Sequence, residues 1–462
     1  MIVNLITTVY NFLWGDLFTI PLPGGGSLGI SLLILLLIPT GIYFTIRTRF
    51  LPIRLFPDMI RALSEKKNEK SSLSSFQTLI VSTATRVGMG NLVGVVAAVS
   101  AGGAGAVFWM WVTAIIGSST AFIEATLAQL HKEEDPLYGG YRGGPAYYIT
   151  KGMGEKWRPM AVFFSIAIII ALGCIGNMVQ SNSISNAMHT AFGVPLVITG
   201  IVTAILAGAV FFGGVARLAS VTEKIVPFMA AIYIIGGSYV IACHAGELGN
   251  AFRLIFVAAF DPQAVMGGAL GLTVAKAMQF GVARGLFSNE AGMGTTPHAH
   301  AVAKVEHPAE QGLVAIFGVF TTVLIVTFTV LVILVTGVMD FDTTGIALTQ
   351  KAYSVGLGSA GVGFVAICLF FFAYSTIIGW YFFSEQNVRY LFHGRGIFVY
   401  RVIVCAFLVL GAVTHVNLVW TLSDFFNGIM VIPNVIALML LHKVVGASLK
   451  DFESKLKKAH LQ

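Results

Sequence analysis

The sequence predicts an all-α polytopic membrane protein of about eleven transmembrane helices, and three observations carry that reading. Hydrophobic residues fill 56% of the 462 positions and charged residues only 11%, against roughly 25% charged in a typical soluble domain. Apolar stretches near the ~20 residues that cross a bilayer as a helix recur along almost the whole chain. Lysine and arginine gather in every second connection between those stretches, as the positive-inside rule requires. A soluble enzyme, a nucleic-acid binder and a disordered scaffold are excluded. The net charge of +7 reflects topology rather than an acidic partner, because the basic residues lie in short loops. Cys174, Cys243, Cys368 and Cys405 sit in different apolar spans without C-x-x-C spacing, so they read as small buried residues, not as a disulfide or zinc framework.

The spans fall near 28–46, 74–100, 104–130, 160–190, 195–216, 222–243, 264–286, 312–338, 360–384, 398–415 and 418–442. The first 27 residues lack a basic n-region, so no cleaved signal peptide is expected and the run from Ile30 to Phe44 becomes a permanent first helix. An outside N-terminus puts Arg47, Arg49, Arg54, Arg61, Lys66, Lys67 and Lys70 inside, followed by Lys132, Arg142, Lys151, Lys156, Arg158, Arg217, Lys224 and Lys304. Arg389, Arg395, Arg401 and the tail lysines Lys443, Lys450, Lys455, Lys457 and Lys458 complete the inside set. Only Arg253 and Lys351 fall in outside loops, so the expected location is the cell membrane with a cytoplasmic C-terminus.

With the first span set aside, ten remain as two sets of five. An odd set must be followed by one of opposite orientation, which is the arithmetic of an inverted repeat with its site at the repeat interface. The expected organisation is 1–72 as an extra helix and basic linker, 73–245 and 262–443 as the repeats, and 444–462 as a basic tail. The first helix of each repeat is interrupted by glycine: Gly88, Gly90 and Gly94 beside Thr85 and Asn91 in one, Gly281 and Gly285 followed by the polar Ser288-Asn289-Glu290 in the other. Two nearby helical glycines favour unwinding, and unwound backbone in a membrane is tolerated only inside protein or along a cavity. Freed carbonyls there take cations, and half-helix N-termini take carboxylates. Close helix packing is the competing use of such glycines, but corresponding breaks in both halves favour a site.

Other features carry less. Gly88-x-Gly90 and Gly103-x-Gly105 do not follow a strand, so they are not a dinucleotide loop. His298-x-His300 puts its rings on different helix faces and reads as a pair of interfacial histidines. The run Tyr138-Gly139-Gly140-Tyr141-Arg142-Gly143-Gly144-Pro145 has turn chemistry and reads as a flexible connection, with a gating role as the alternative. Arg86 is costly at mid-membrane; either it pairs with a carboxylate such as Glu124, or it attracts the substrate's carboxylate.

The run Gly102-Gly103-Ala104-Gly105-Ala106-Val107-Phe108-Trp109-Met110-Trp111-Val112, continuing to Gly117, resembles the signature of the alanine or glycine:cation symporter family. Gly281-Val282-Ala283-Arg284-Gly285-Leu286-Phe287-Ser288-Asn289-Glu290-Ala291-Gly292 is similar to a second segment of that family. The resemblance implies a leucine-transporter-type 5+5 inverted repeat with one extra N-terminal helix. It also implies sodium-coupled, sometimes proton-coupled, uptake of a small neutral amino acid: alanine or glycine, of either hand, with glutamine compatible. Such a protein is not an enzyme, and no protein partner is evident. A membrane-embedded enzyme or a channel is the rival class; intramembrane His, Asp and Glu are too sparse for the enzyme.

The residues then sort into two sites. Ser375 and Thr376 are adjacent hydroxyls in an apolar span; they either return hydrogen bonds to the preceding turn or serve sodium, which wants hard oxygen ligands. By resemblance, the carbonyls of Ala84, Val87 and Phe372 complete that sodium site. For the amino acid, backbone N–H groups from Gly88 through Gly90 to Asn91 suit the carboxylate, with Thr85 beside them, and the carbonyls of Phe280 and Gly281 suit the ammonium. Gly173, Asn177 and Gln180 form a small polar stripe on one helix face, open to interhelical bonding as the alternative. The resemblance favours Gln180 and Asn91 as ligand contacts, with the ring of Trp380 capping the pocket.

Overall fold

The computed structural model describes residues 2–21, 27–64, 73–261, 273–339, 343 and 345–460. Lys66, Lys67, Lys70 and the start of the span expected at 264–286 lie outside these residues. Among the described residues the strands form two short antiparallel hairpins, Phe18–Pro21 with Ser27–Ile30 and Glu133–Glu134 with Tyr141–Arg142; the rest of the regular structure is helical. Among the described residues, six helices are long and apolar enough to cross a membrane: Ala106–Leu130, Glu155–Phe192, Gly214–Cys243, Pro308–Val335, Ala360–Phe392 and Leu418–Lys458. Ser75–Arg86 with Met89–Gly102 makes a seventh if the bent pair is one span, and Leu32–Arg47, Leu196–Phe211 and Ile397–Val413 are shorter apolar helices.

Local sequence explains where these helices start and stop. Ser31 caps Leu32–Arg47 by accepting from the Ile34 N–H, and the helix ends on Arg47, where a cation complements the dipole. Ser74 and Gln77 form a reciprocal capping box that opens Ser75–Arg86. Gly193, in the left-handed region at φ 67°, ends Asn177–Phe192. Large apolar side chains such as Ile205, Ile235 and Phe398 remain exposed on these helices, which is stable only where the surroundings are themselves apolar.

Two elements differ from expectation. The basic tail is not a separate segment, because a single helix continues from Val416 to His460. Nothing after His442 breaks it, and the Lys455–Asp451 pair at 2.8 Å and the Arg54–Glu453 pair at 2.6 Å hold its charged end. The second interruption also lies later than Gly281. Val274–Asn289 runs through Phe280, Gly281 and Gly285 as one helix and ends only where Glu290 turns left-handed at φ 55°. The two glycines instead let this helix lie flush on Ala106–Leu130. A Cβ on Gly281 would meet the Ala106 carbonyl, and one on Gly285 would stand 3.1 Å from Met110 Cα. Packing was the right use for this pair.

The first interruption falls where the sequence puts it. Ser75–Arg86 stops at Val87, a single 3-10 turn covers Met89–Asn91, and the chain leaves at 56° to its original direction. Beyond Glu290 the second interruption passes Gly292 and Gly294, both at positive φ, before Pro297 opens the short helix Pro297–Val302. A feature that the sequence did not signal lies between them. Glu155–Phe192 carries a π-helical stretch at Ile169–Gly176, directly before Asn177 and Gln180; such bulges cluster at functional sites.

Candidate functional site

The two broken helices, the π-containing helix and Ala360–Phe392 converge around Gly88. The Thr376 hydroxyl donates toward the carbonyls of Ala84 and Phe372, each at 3.0 Å. The Ser375 hydroxyl reaches the same two oxygens at 3.3 and 2.9 Å. Each hydroxyl thus returns a bond to its own helix, the first of the two alternatives, and also crosses to the first break at the Ala84 carbonyl. Four oxygens from two elements form a cluster without a formal charge, which is the donor chemistry that suits a hard monovalent cation. Val87, at ψ 60°, turns the chain out of its helix directly beside this cluster. Gly88 has no room for a side chain, since a Cβ would collide with the Thr376 hydroxyl.

Asn91 joins the two breaks. Its Nδ2 donates to the Arg86 carbonyl at 2.9 Å, and its Oδ1 accepts from the Ser288 hydroxyl. Gly90 faces the Phe287 ring, 3.5 Å from where its Cβ would stand. The first break thus meets Phe287 and Ser288, near the end of the second-half helix, whereas Phe280 and Gly281 stay within continuous helix and offer no freed carbonyl. Gln180 is buried and its Oε1 has no hydrogen-bond partner; Asn177 donates to the Gly173 carbonyl at 3.2 Å and leaves its own Oδ1 unpaired. Gly173 itself packs against the Tyr400 hydroxyl and Ser384. The stripe therefore serves packing at one end and presents a buried, unsatisfied amide at the other, which costs free energy unless something binds there.

Thr85 and Trp380 meet on Glu290, a polar residue at the second break for which the sequence alone gives no role. The Glu290 carboxylate accepts from the Trp380 indole at 3.0 Å, from Thr85 at 3.2 Å and from Thr295 at 2.8 Å. Arg86 does not pair with Glu124. Its guanidinium donates to the Thr296 hydroxyl at 2.9 Å and the Ala315 carbonyl at 3.2 Å. Glu124 is occupied instead by the unwound backbone, accepting from the N–H groups of Gly292 and Gly294 at 3.0 and 2.9 Å and from Asn434 at 2.7 Å. Both charges fasten the second break rather than each other.

Farther along Ala360–Phe392 lies a charged cluster. The Glu133–Arg142 hairpin docks there through a fully buried ion pair between Asp135 and Arg389 and a bond of 2.9 Å from Arg401 to the Tyr138 hydroxyl. Burial would raise the Glu133 carboxyl, but Lys151 and Arg142 outweigh it and hold it below the ordinary carboxylate range. The glycine-rich run is thus tied down, not loose. His298 and His300 are buried rather than interfacial, the first bonded to Asn387 and the second to Gln311. Among the described residues no group of three His, Cys, Asp or Glu could hold a metal ion.

The sequence model of the sodium:alanine symporter family matches residues 25–462. The chain belongs to that family. A probable sodium/glutamine symporter GlnT of Bacillus subtilis (strain 168) is 44% identical over 91% of this chain and 88% of its own length. The sodium/alanine symporter AgcS of Methanococcus maripaludis is 38% identical over 97% of both chains, and a putative sodium/proton-dependent alanine carrier protein YrbD of B. subtilis is 42% identical over 92% of this chain and 90% of its own length. Among solved structures, an Eremococcus coleocola manganese transporter shares the fold with a TM-score of 0.51 at 11% identity, covering 79% of this chain and 76% of that one. A member of the sodium:alanine symporter family with these apolar helices is a multi-pass membrane transporter of amino acids, not an enzyme.

Proposed function

We propose that this family member imports a small neutral amino acid, alanine or glycine, across the cell membrane with sodium, by alternating access. The observation that carries the reading is the four-oxygen cluster of Ala84, Phe372, Ser375 and Thr376 beside the unwound turn at Gly88–Asn91. Sodium at this cluster, with the Val87 carbonyl turned in, would pull the first broken helix onto Ala360–Phe392. An ion bound better in one arrangement than another shifts the population toward it. The substrate carboxylate would meet N–H groups at Gly88, Gly90 and Asn91. Because Phe280 and Gly281 are helical, the ammonium is assigned to the carbonyls of Phe287, Ser288 and Asn289, which follow the last helix-type bond, from the Glu290 N–H to Leu286. Gln180 would orient the zwitterion, Thr85 would line the pocket, and Trp380 would cap it.

The seven long or bent spans, the three shorter apolar helices and Val274–Asn289 with its continuation together support eleven crossings. Interruptions in Ser75–Gly102 and again after Asn289 support five-plus-five inverted repeats, with the N-terminus outside and the C-terminus in the cytoplasm. Uptake of radiolabelled alanine into proteoliposomes, with and without a sodium gradient, tests the reading. Accumulation that follows an imposed pH gradient and ignores sodium would replace sodium by proton coupling. Competition by a panel of unlabelled amino acids decides between alanine, glycine and the glutamine that one relative's name carries.

A further inference from the structure

Glu290 has no role in the reading above, yet it touches three of the elements that build the pocket. It sits where Val274–Asn289 ends, in a left-handed conformation at φ 55° that a residue other than glycine rarely adopts. Its carboxylate is buried at 3% exposure. Thr295 donates from its own loop, Thr85 from the first broken helix and Trp380 from Ala360–Phe392. Two of these donors are residues that the proposed pocket uses.

The Trp380 ring is held from the other side as well. Its six-membered ring lies on Gly176, where a Cβ would stand 2.8 Å from Cζ3 and 2.9 Å from Cε3. Gly176 closes the π-helical stretch, one turn before Gln180. The indole is thus fixed at two points, by a bare glycine face under the ring and by a carboxyl oxygen that accepts from its N–H.

From this we infer that Glu290 is a positioning residue for substrate size: it pins the Trp380 indole over the amino-acid pocket and so limits the side chain that fits. The inference rests on the proposed pocket, in which Trp380 is the cap. Without the carboxylate the ring gains rotational freedom about its two side-chain torsions and the space above the substrate opens. A tight pocket discriminates by about 10–200-fold per methylene, so a mobile cap changes selectivity before it changes anything else.

The test uses purified protein in proteoliposomes, radiolabelled alanine, and competition by unlabelled alanine, 2-aminobutyrate and glutamine. The readout is the ratio of half-inhibitory concentrations, glutamine over alanine, with thermal melting in detergent to show that each variant is folded. Glu290→Ala is expected to lower that ratio by about tenfold, the low end of one methylene's discrimination. Glu290→Gln retains an amide oxygen that can accept from the indole and is expected to stay within about twofold of the parent. Trp380→Ala should reproduce the shift, and adding Glu290→Ala to it should change nothing further, because both act through one ring. If Glu290→Ala does not fold, Trp380→Phe removes the N–H while keeping a ring, and should shift the ratio in the same direction. A ratio unmoved by Trp380→Ala overturns the pocket itself, and this inference with it. A ratio moved by Trp380→Ala but not by Glu290→Ala overturns the inference alone. Equal loss of uptake for every substrate, or failure of Glu290→Gln to restore the ratio, also overturns it.

Discussion

Thr376→Ala should weaken sodium without dismantling the site that receives it. The Thr376 hydroxyl lies 3.0 Å from both the Ala84 and Phe372 carbonyls, and Ser375 spans the same two oxygens at 3.3 and 2.9 Å. Deleting the threonine oxygen therefore removes one ligand while the serine still bridges the two helices. An interaction with a charged group is worth ~1.5–3 kcal/mol, and ~1.4 kcal/mol is tenfold. The full loss would be about ten- to a hundredfold in sodium affinity, and because Ser375 shares the same partners the lower end is expected, about tenfold. The assay is the sodium activation curve of alanine uptake in proteoliposomes, paired with sodium-dependent thermal stabilisation of the purified protein. Stabilisation follows RT ln(1 + [L]/Kd), so its midpoint must move with the uptake curve. Thr376→Ser, which keeps the oxygen, should stay close to the parent. Unchanged sodium dependence in both Thr376→Ala and Ser375→Ala would refute the site.

Gln180→Ala and Asn91→Ala should each abolish most alanine binding to folded, purified protein; parental affinity in the Gln180 variant would reduce the polar stripe to helix packing. Gly281→Ala should instead lower the melting temperature through overpacking worth ~1–3 kcal/mol, because its methyl would meet the Ala106 carbonyl. Its alanine affinity should hold, and a selective loss of affinity would return Gly281 to the binding site. Asp135→Asn leaves the fully buried Arg389 with Glu385, 3.7 Å away, as its acidic neighbour and should cost stability toward the low end of the ~3–5 kcal/mol of a broken buried pair. Pairing it with Arg389→Met should recover much of that loss, and a double variant no more stable than the single one would deny the pair its structural role.

What was legible in the sequence follows from how local each signal is. Span positions depend on windows of about 20 residues, and the long helices fall where those windows put them. The first break was legible because Gly88 and Gly90 stand beside Thr85 and Asn91, so flexible backbone and polar side chains coincide. Ser375 and Thr376 were legible for the same reason, as two hydroxyls in an apolar run. The second break was misread because a glycine that packs and a glycine that unwinds look identical in sequence. Gly281 and Gly285 are four residues apart, the spacing that lays one helix face on a neighbour, and Ala106, Trp109 and Met110 are what they lie against. The better signal was Asn289-Glu290 followed by Gly292, Gly294 and Pro297, where polar residues, positive-φ glycines and a helix-starting proline occur together.

The buried charges show the same limit from the energetic side. A mid-membrane arginine demands a partner, and a search by residue type finds the nearest acid in the next helix, Glu124. The structure answers the demand at hydrogen-bond distance with dipoles, while Glu290 and Glu124 act on Arg86 only through space. Arg86 takes a hydroxyl and a carbonyl, and Glu124 takes two backbone N–H groups and an amide. Unwinding the chain after Asn289 frees the N–H groups that Glu124 accepts from and brings Thr296 to Arg86, so the break and the charges stabilise one another. Neither is predictable alone. A sequence reading that treats charges as pairs, and breaks as isolated glycines, therefore misses Glu290 as well, whose partners lie 205 and 90 residues away at Thr85 and Trp380.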